Sequence, residues 1–157
     1  MDALVFLEQM QDHPDYCVHG KVAVIGGGNT AMDAAALAKA RGAEDVYVIY
    51  RRSFNEMPAW PKERDAAVKA GIHLLLLTQP IGYQTDAGGR VNGVQVVRTE
   101  LGQPDESGRR SPVMIPNSEH VIPVTMVVEA IGEQIATGVS LVLSSIQLSR
   151  RGLVHVD

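Results

Sequence analysis

The sequence has 157 residues, enough for one domain of ordinary size. A hydrophobic fraction of 45% provides for a core and excludes a disordered chain. The net charge of −4 argues against a general nucleic-acid surface. No apolar run approaches the roughly 20 residues of a membrane span, and the N-terminus lacks the basic leader of a signal peptide. We therefore expect a cytoplasmic protein without a nucleic-acid or membrane partner, in which the lone Cys17 forms no internal disulfide.

The first third of the chain predicts helix, strand, helix and strand. Residues 2–11 place apolar side chains at helical spacing behind a capping aspartate, and a polar loop follows. An apolar strand at 21–25 leads into an alanine-rich helix at 30–41, and Gly42 is suited to end that helix. A second apolar strand at 46–50 completes a right-handed βαβ unit, typical of a parallel sheet covered on both faces.

The later part of the chain changes in character. The elements predicted there are a loop at 53–61, a helix at 61–70, a buried strand at 72–78, turns at 86–89 and 103–110, strands at 91–101 and 113–124, and a last sheet strand at 125–131. Residues 140–157 receive no place in the sheet. We predict an α/β, Rossmann-like domain of three layers, with a central parallel sheet, helices on one face and a three-stranded antiparallel β-meander on the other.

A glycine-rich turn after the first strand is the leading candidate for a binding site. Its residues are Gly26, Gly27, Gly28, Asn29, Thr30 and Ala31. They fit the pattern G-x-G-x-x-A, in which the first glycine permits a tight turn, the second lets the backbone approach a pyrophosphate, and the alanine lets the helix pack closely. The helix N-terminus adds free N–H groups and a positive dipole end. The side chains of Asn29 and Thr30 are expected to donate to phosphate oxygens.

Two arginines follow the second strand, where such folds usually carry an acid that binds ribose hydroxyls. Arg51 and Arg52 lie 20 and 21 residues after Ala31. Guanidinium groups are planar donors suited to a phosphate, so this pair predicts a 2′-phosphate subsite and hence NADPH rather than NADH. The alternative interpretation is a solvated strand end. FAD as the ligand of the glycine turn is disfavoured, because FAD sites of this kind generally have an acid here.

Other polar residues carry weaker signals. Asp33 suits the positive end of a helix dipole, and Glu129 is placed at a sheet edge. Arg109 and Arg110 are interpreted as solvated charge. The five histidines lack metal-ligand spacing. We predict no catalytic residue and no metal ligand in this chain.

Four sequence strings together resemble a known family: VAVIGGGNTAMDAA, VYVIYRRSFNEMPA, PDESGRRSPVMIP and VVEAIGEQ. They are similar to the NADPH-binding domain of glutamate synthase small-subunit-like flavoproteins, in the pyridine-nucleotide oxidoreductase superfamily that includes thioredoxin reductase and dihydropyrimidine dehydrogenase. The resemblance covers roughly residues 3–134. It implies a domain inserted into a larger FAD-binding domain, with hydride passing from NADPH to FAD and electrons continuing to iron–sulfur clusters or a large subunit.

The resemblance also implies roles for individual residues. It assigns the phosphate loop to residues 26–30 and the 2′-phosphate contacts to Arg51 and Arg52. The sequence Ala130-Ile131-Gly132 matches a strand-end element that passes near both cofactors, and Met57-Pro58-Ala59 matches a loop whose role stays open. Relatives such as thioredoxin reductase use H-R-R-x-x-x-R. Here Tyr50 replaces the histidine and Glu56 the last arginine, which leaves two arginines to bind the phosphate.

The resemblance suggests a division of the chain. Residues 1–20 and 135–157 are predicted to be junctions with an FAD domain, on either side of an NAD(P)H-binding domain at 21–134. The glycine loop and the C-terminal G-D element of the FAD domain are absent from this sequence, and a proline turn expected after Gly132 is replaced by Glu133-Gln134-Ile135. We therefore expect a piece of a longer enzyme. The alternative hypothesis is a non-catalytic module that senses NADP(H) or docks a partner.

Overall fold

The computed structural model describes residues 1–104, 106 and 108–132. A parallel sheet contains β1 (Lys21–Ile25), β2 (Asp45–Tyr50), β3 (His73–Leu76) and β8 (Met126–Glu129), in the order β3-β2-β1-β8. Three helices accompany it, α1 (Ala3–Asp12), α2 (Asn29–Ala40) and α3 (Pro61–Lys69), with a short 3-10 helix at Phe54–Glu56. The antiparallel strands are β4 (Thr78–Thr85), β5 (Val91–Pro104), β6 (Arg110–Met114) and β7 (His120–Ile122).

The parallel sheet separates two hydrophobic cores, because side chains alternate between its faces. Val22 and Val24 of β1 pack on the helix side with Phe6 of α1 and the alanines of α2. Ala23 and Ile25 pack on the other side with Ile49, and with Val94, Val96 and Ile122 of the antiparallel strands. Burying each of the larger side chains contributes about 1.5–3 kcal/mol. The three-layer α/β arrangement predicted from sequence is confirmed.

The helices begin and end where local chemistry directs them. Asp2 caps α1, since its Oδ1 accepts from the N–H of Leu4 at 2.8 Å. Helix α2 ends at Gly42, where φ is +101°, and the N–H of Ala43 donates to the carbonyl of Ala38 at 3.1 Å. This is the Schellman arrangement, and Gly71 ends α3 in the same way. The longest helix of the described residues has 12 residues, and none has the length and apolar character of a membrane span.

The antiparallel strands differ from prediction in two places. Thr78, assigned to the third parallel strand, instead begins β4, because Leu77 turns the chain out of the sheet with φ +50°. The strand predicted at 113–124 is two strands, β6 and β7, which pair with successive parts of β5. Asn117, with φ +59°, lies in the interruption. The third strand of the meander is therefore broken by a Pro-Asn turn that the prediction missed. Residues 133–157, including the predicted C-terminal junction, lie outside the described residues.

Candidate functional site

A cavity of about 600 Å³ opens at the carboxyl ends of the parallel strands. The chain runs from β1 to β2 to β3 on one side of β1 and returns to the other side as β8. This change of direction is a topological switch point, where open α/β sheets bind their ligands. The lining includes the glycine turn after β1, the end of β2 and the residues after β8. Of the residues predicted from sequence, those that line it are Gly26, Gly27, Gly28, Thr30, Arg51, Arg52, Ala130, Ile131 and Gly132.

Two of the three glycines in the turn are required by the protein itself. Gly26 has φ +144°, and a Cβ there would overlap the carbonyl oxygen of Ala130. A Cβ on Gly27 would come within 2.5 Å of the Tyr50 ring. Backbone hydrogen bonds hold the turn between its neighbours, from Gly26 N–H to the Ile49 carbonyl at 3.1 Å and from Ala130 N–H to the Ile25 carbonyl at 2.7 Å. The turn is thus fitted closely to β2 and β8.

Gly28 is different, because the described part of the chain gives no reason for a glycine there. Its φ of −89° and ψ of 178° suit any residue, and apart from the two adjacent residues no described heavy atom lies within 4 Å of where a Cβ would stand. Gly28 is the N-cap of α2 and caps it without a side-chain hydrogen bond. Serine, threonine, asparagine and aspartate are the usual N-cap residues. The missing side chain leaves room in the cavity beside the first-turn N–H groups of α2, as a bound anion requires.

Asn29 and Ala31 do not line the cavity. The Oδ1 atom of Asn29 accepts from the backbone N–H of Trp60 at 2.9 Å, so this oxygen holds the loop before α3. Ala31 is fully buried, as the close helix packing predicted for it requires. Thr30 is exposed and lines the cavity, and the hydrogen bond to Trp60 does not involve it. The contact with Trp60 uses Oδ1, whereas the predicted donation to a phosphate would use Nδ2, so the two contacts do not exclude each other.

The loop containing Met57, Pro58 and Ala59 is fastened to the glycine turn. Ala59 N–H donates to the Gly27 carbonyl at 2.9 Å, while Met57 and Ala59 are buried and Pro58 lines the cavity. The Tyr50 hydroxyl donates to the Glu56 carbonyl at 2.7 Å. The ring of Tyr50 therefore packs on Gly27 while its hydroxyl holds the start of the same loop. This is a structural role for a sequence element whose role the resemblance leaves open.

Arg51 and Arg52 are held in place by their backbones. The buried Thr99 of β5 donates from Oγ1 to the Arg51 carbonyl at 2.8 Å. The N–H of Leu77 donates to the Arg52 carbonyl at 3.0 Å, and the Leu77 carbonyl in turn accepts from Thr99 N–H at 2.8 Å. Sequence reasoning missed Thr99 and Leu77, because a single polar residue in a long strand is no signal of its own. The meander thus fixes the arginine pair at the cavity.

Two further arginines reach this region from the turn between β5 and β6. Arg109 lines the cavity, and the carbonyl of Arg110 accepts from Nε of Arg52 at 3.0 Å. Both arginines are exposed, as a solvated charge should be, but the sequence did not predict that they would lie beside this cavity. The adjacent pair of arginines was visible in the sequence, but the sequence did not show that it lies beside the end of β2. The charge of Arg110 also acts on Glu56, whose pKa is held below its usual range mainly by the hydrogen bond that Ser53 donates.

The end of β8 closes the other side of the cavity. Gly132 has φ +73°, and Ile131 is 67% exposed. Glu129 lines the cavity and accepts a hydrogen bond from the Tyr83 hydroxyl of β4. Partial burial, followed by this bond, raises the pKa of Tyr83 to about 12. The phenol therefore stays protonated as a donor at neutral pH. Glu129, assigned only to a sheet edge from sequence, joins the parallel sheet to the meander.

The electrostatics of the lining combine cations and anions. The lining contains three arginines, at positions 51, 52 and 109, and the acids Asp2 and Glu129. Among the described residues, no group of three His, Cys, Asp or Glu side chains is placed to hold a metal ion. Backbone donors at a helix N-terminus beside guanidinium groups are the donor set for a ligand with several phosphates.

The chain is similar in sequence to known oxidoreductases. Residues 2–157 match the protein family described as pyridine nucleotide-disulphide oxidoreductase. The NADP(+)-dependent formate dehydrogenase subunit beta of Moorella thermoacetica is 44% identical over 141 residues, covering 89% of this chain and 20% of that protein. The Glutamate synthase [NADPH] small chain of Escherichia coli K12 is 35% identical over 147 residues, covering 93% and 31%. The chain thus spans less than a third of either relative's length.

Solved structures share the fold at low sequence identity. Thioredoxin reductase of T. acidophilum superposes with a TM-score of 0.62 at 23% identity, over 87% of this chain and 38% of that one. FprA of Mycobacterium tuberculosis in complex with NADPH superposes with a TM-score of 0.59 at 19% identity, over 76% and 40%. At these identities the comparison supports the Rossmann-like fold alone.

Proposed function

The chain belongs to the pyridine nucleotide-disulphide oxidoreductase family, and on that premise we propose that it is the NADP(H)-binding domain of a flavoprotein oxidoreductase. The observation that carries the proposal is the open space beside Gly28, where any other residue would place a side chain. Among the residues that the structure describes, neither backbone conformation nor packing requires a glycine there. The cavity beside it is lined by the start of α2 and by the Arg51-Arg52 pair. A dinucleotide bearing a 2′-phosphate supplies an anion for each of these two groups of donors.

The residues of this chain would bind and orient the nucleotide. The N–H groups at the start of α2 would donate to the pyrophosphate, with Gly26 and Gly27 shaping the turn and Gly28 leaving room for it. Arg51 and Arg52 would bind the 2′-phosphate. Ala130, Ile131 and Gly132, beyond the switch point, would border the remaining half of the dinucleotide. Bound NADPH would supply a hydride to an FAD held by the rest of the enzyme. No residue of this chain has to take part in that transfer.

FAD and the later electron carriers are proposed for parts outside this chain. The proteins named NADP(+)-dependent formate dehydrogenase subunit beta and Glutamate synthase [NADPH] small chain are three to five times longer than the segment they share with it. This supports an FAD domain joined at residues 1–20 and 135–157, with 21–134 as the nucleotide-binding part. An iron–sulfur domain or a large subunit is the proposed next electron acceptor, and the cytoplasm the proposed location.

Titration calorimetry of the purified chain with NADPH and NADH tests the nucleotide assignment. We expect tighter binding of NADPH and the loss of that preference in a variant with Arg51→Ala and Arg52→Ala. A charge-assisted contact contributes about 1.5–3 kcal/mol, so NADPH affinity should fall roughly tenfold or more. A control with Lys69→Ala and Arg90→Ala removes the same charge outside the cavity lining and should leave both affinities unchanged. Equal affinities for the two nucleotides in the unmutated chain would contradict the proposal.

The flavin half of the proposal needs a separate measurement. A full-length protein containing this chain should carry bound flavin, and NADPH should bleach its visible absorbance. A non-catalytic NADP(H)-sensing or partner-docking module is the alternative. If the full-length protein binds NADPH but holds no flavin and oxidises no NADPH, that alternative is supported and the oxidoreductase proposal fails.

A further inference from the structure

A second pair of arginines, Arg109 and Arg110, lies where β6 begins. Arg109 is 57 positions after Arg52 in the sequence, yet it lines the same cavity. Compared with the H-R-R-x-x-x-R pattern of relatives, this chain lacks the last arginine and has Glu56 in its place. Arg109 therefore adds a third guanidinium group to a cavity lining in which the sequence motif supplies two.

Arg110 anchors this turn beside the arginine pair. Its Nε donates to the Gly102 carbonyl at 2.9 Å and its Nη2 to the Leu101 carbonyl at 2.6 Å, so the side chain ties β6 back onto β5. Its own carbonyl accepts from Nε of Arg52 at 3.0 Å. Arg110 is thus held by these three hydrogen bonds, one of them from Arg52 itself. The bond to Arg52 uses Nε, whereas the paired terminal nitrogens of a guanidinium are those that bind a phosphate end-on.

We propose that Arg109 is a third cationic ligand of the 2′-phosphate and a determinant of NADPH specificity. The inference rests on the proposed function. A phosphate monoester carries about −1.5 to −2 charges at pH 7, so a third guanidinium adds to the neutralisation that Arg51 and Arg52 supply. The adjoining Arg110 holds the backbone of the turn, which keeps Arg109 at the cavity. The meander then serves as the wall of the subsite that distinguishes the two nucleotides.

Three ligands separate this role from a general effect on binding. NADPH contains the pyrophosphate and the 2′-phosphate, NADH contains the pyrophosphate alone, and 2′-AMP contains the 2′-phosphate alone. In the full chain, Arg109→Ala should weaken binding of NADPH and 2′-AMP by about 3–10-fold and leave NADH affinity within about 1.5-fold, as expected for one charge-assisted contact made by an exposed arginine. Arg109→Lys keeps the charge but loses the planar pair of guanidinium donors, so its affinities for NADPH and 2′-AMP should lie between those of the unmutated chain and Arg109→Ala.

The matched control is Arg90→Ala, in the turn between β4 and β5. It removes the same charge from the other end of the meander, where Arg90 pairs with Asp86 at 3.1 Å. All three affinities should be unchanged in that variant, and thermal melting of each variant shows that the chain has folded. If Arg109→Ala weakens NADPH and NADH equally, or weakens neither, the inference is overturned.

The outcomes also distinguish this inference from the proposed function. If substitution of Arg51 and Arg52 abolishes the preference for NADPH and Arg109→Ala leaves it intact, only the role of Arg109 is wrong. If the unmutated chain shows no preference between the nucleotides and does not bind 2′-AMP, the proposed function fails first.

Discussion

The glycine turn and the arginine-bearing meander border one cavity but offer a ligand different chemistry. The turn after β1 offers backbone N–H groups, and its shape is set where side chains are absent, at Gly26 and Gly27. The residues after β2 and before β6 offer guanidinium groups. The carbonyl of Arg51 accepts from Thr99 of β5, and Arg52 donates to the carbonyl of Arg110 in β6. Under the proposed function, the backbone donors would bind the pyrophosphate of either nucleotide, whereas the arginines would bind the extra phosphate of NADPH. Affinity and specificity would then be separated in space.

The largest expected effect is on the turn, from Gly26→Ala. The new Cβ would strain a φ of +144° and overlap the Ala130 carbonyl, so both stability and nucleotide binding should be lost. Strain of this kind costs about 1–3 kcal/mol before the overlap is added, which corresponds to a fall in Tm on the order of 5–10 °C. Gly89→Ala is the control. It also has positive φ but meets no atom within 4 Å, and it should cost less stability and leave NADPH affinity unchanged.

Gly28→Ser should separate stability from binding within the same turn. A serine at this N-cap can accept from the first-turn N–H groups of α2, which should raise stability by roughly a few tenths of a kcal/mol over glycine. The same side chain would occupy the space left for the pyrophosphate, so NADPH and NADH should both weaken, by roughly tenfold. Thermal melting tests the expected rise in stability, and calorimetry tests the expected loss of nucleotide affinity. Gly28→Ala, which cannot cap, should weaken binding without the gain in Tm. Unchanged nucleotide affinity in both variants would show that the pyrophosphate does not bind in the open space beside Gly28.

The smallest expected effect concerns the link from the meander to Arg51. Thr99→Val removes the hydrogen bond to the Arg51 carbonyl, which should cost about 1 kcal/mol of stability and lower the preference for NADPH over NADH by less than about threefold. Thr78→Val is a matched control, because that threonine is also buried and bonds to the Leu76 carbonyl instead. It should lower Tm similarly without changing the preference. A loss of preference in both variants would mean that general loosening is responsible.

Prediction from sequence was most successful where the structure is local. Strand β1, helix α2 and strand β2 were placed within one or two residues, because apolar runs, an alanine-rich stretch and Gly42 all describe the same βαβ unit. Prediction was weaker for the meander. The turn at Asn117 was missed and Thr78 was assigned to the wrong sheet, since the conformation at Leu77 depends on hydrogen bonds to Arg52 and Thr99.

The same division applies to the site. By itself, the sequence determined the glycine turn, the pair at Arg51 and Arg52 and the family, since these depend on contiguous residues whose order sets the local backbone. Only the tertiary structure showed that Asn29 accepts a hydrogen bond from Trp60 and that Arg109 lines the cavity. It also showed that no described neighbour packs against the position where Gly28 lacks a side chain. Those facts depend on strand register and on contacts across as many as 58 positions, which no local pattern encodes.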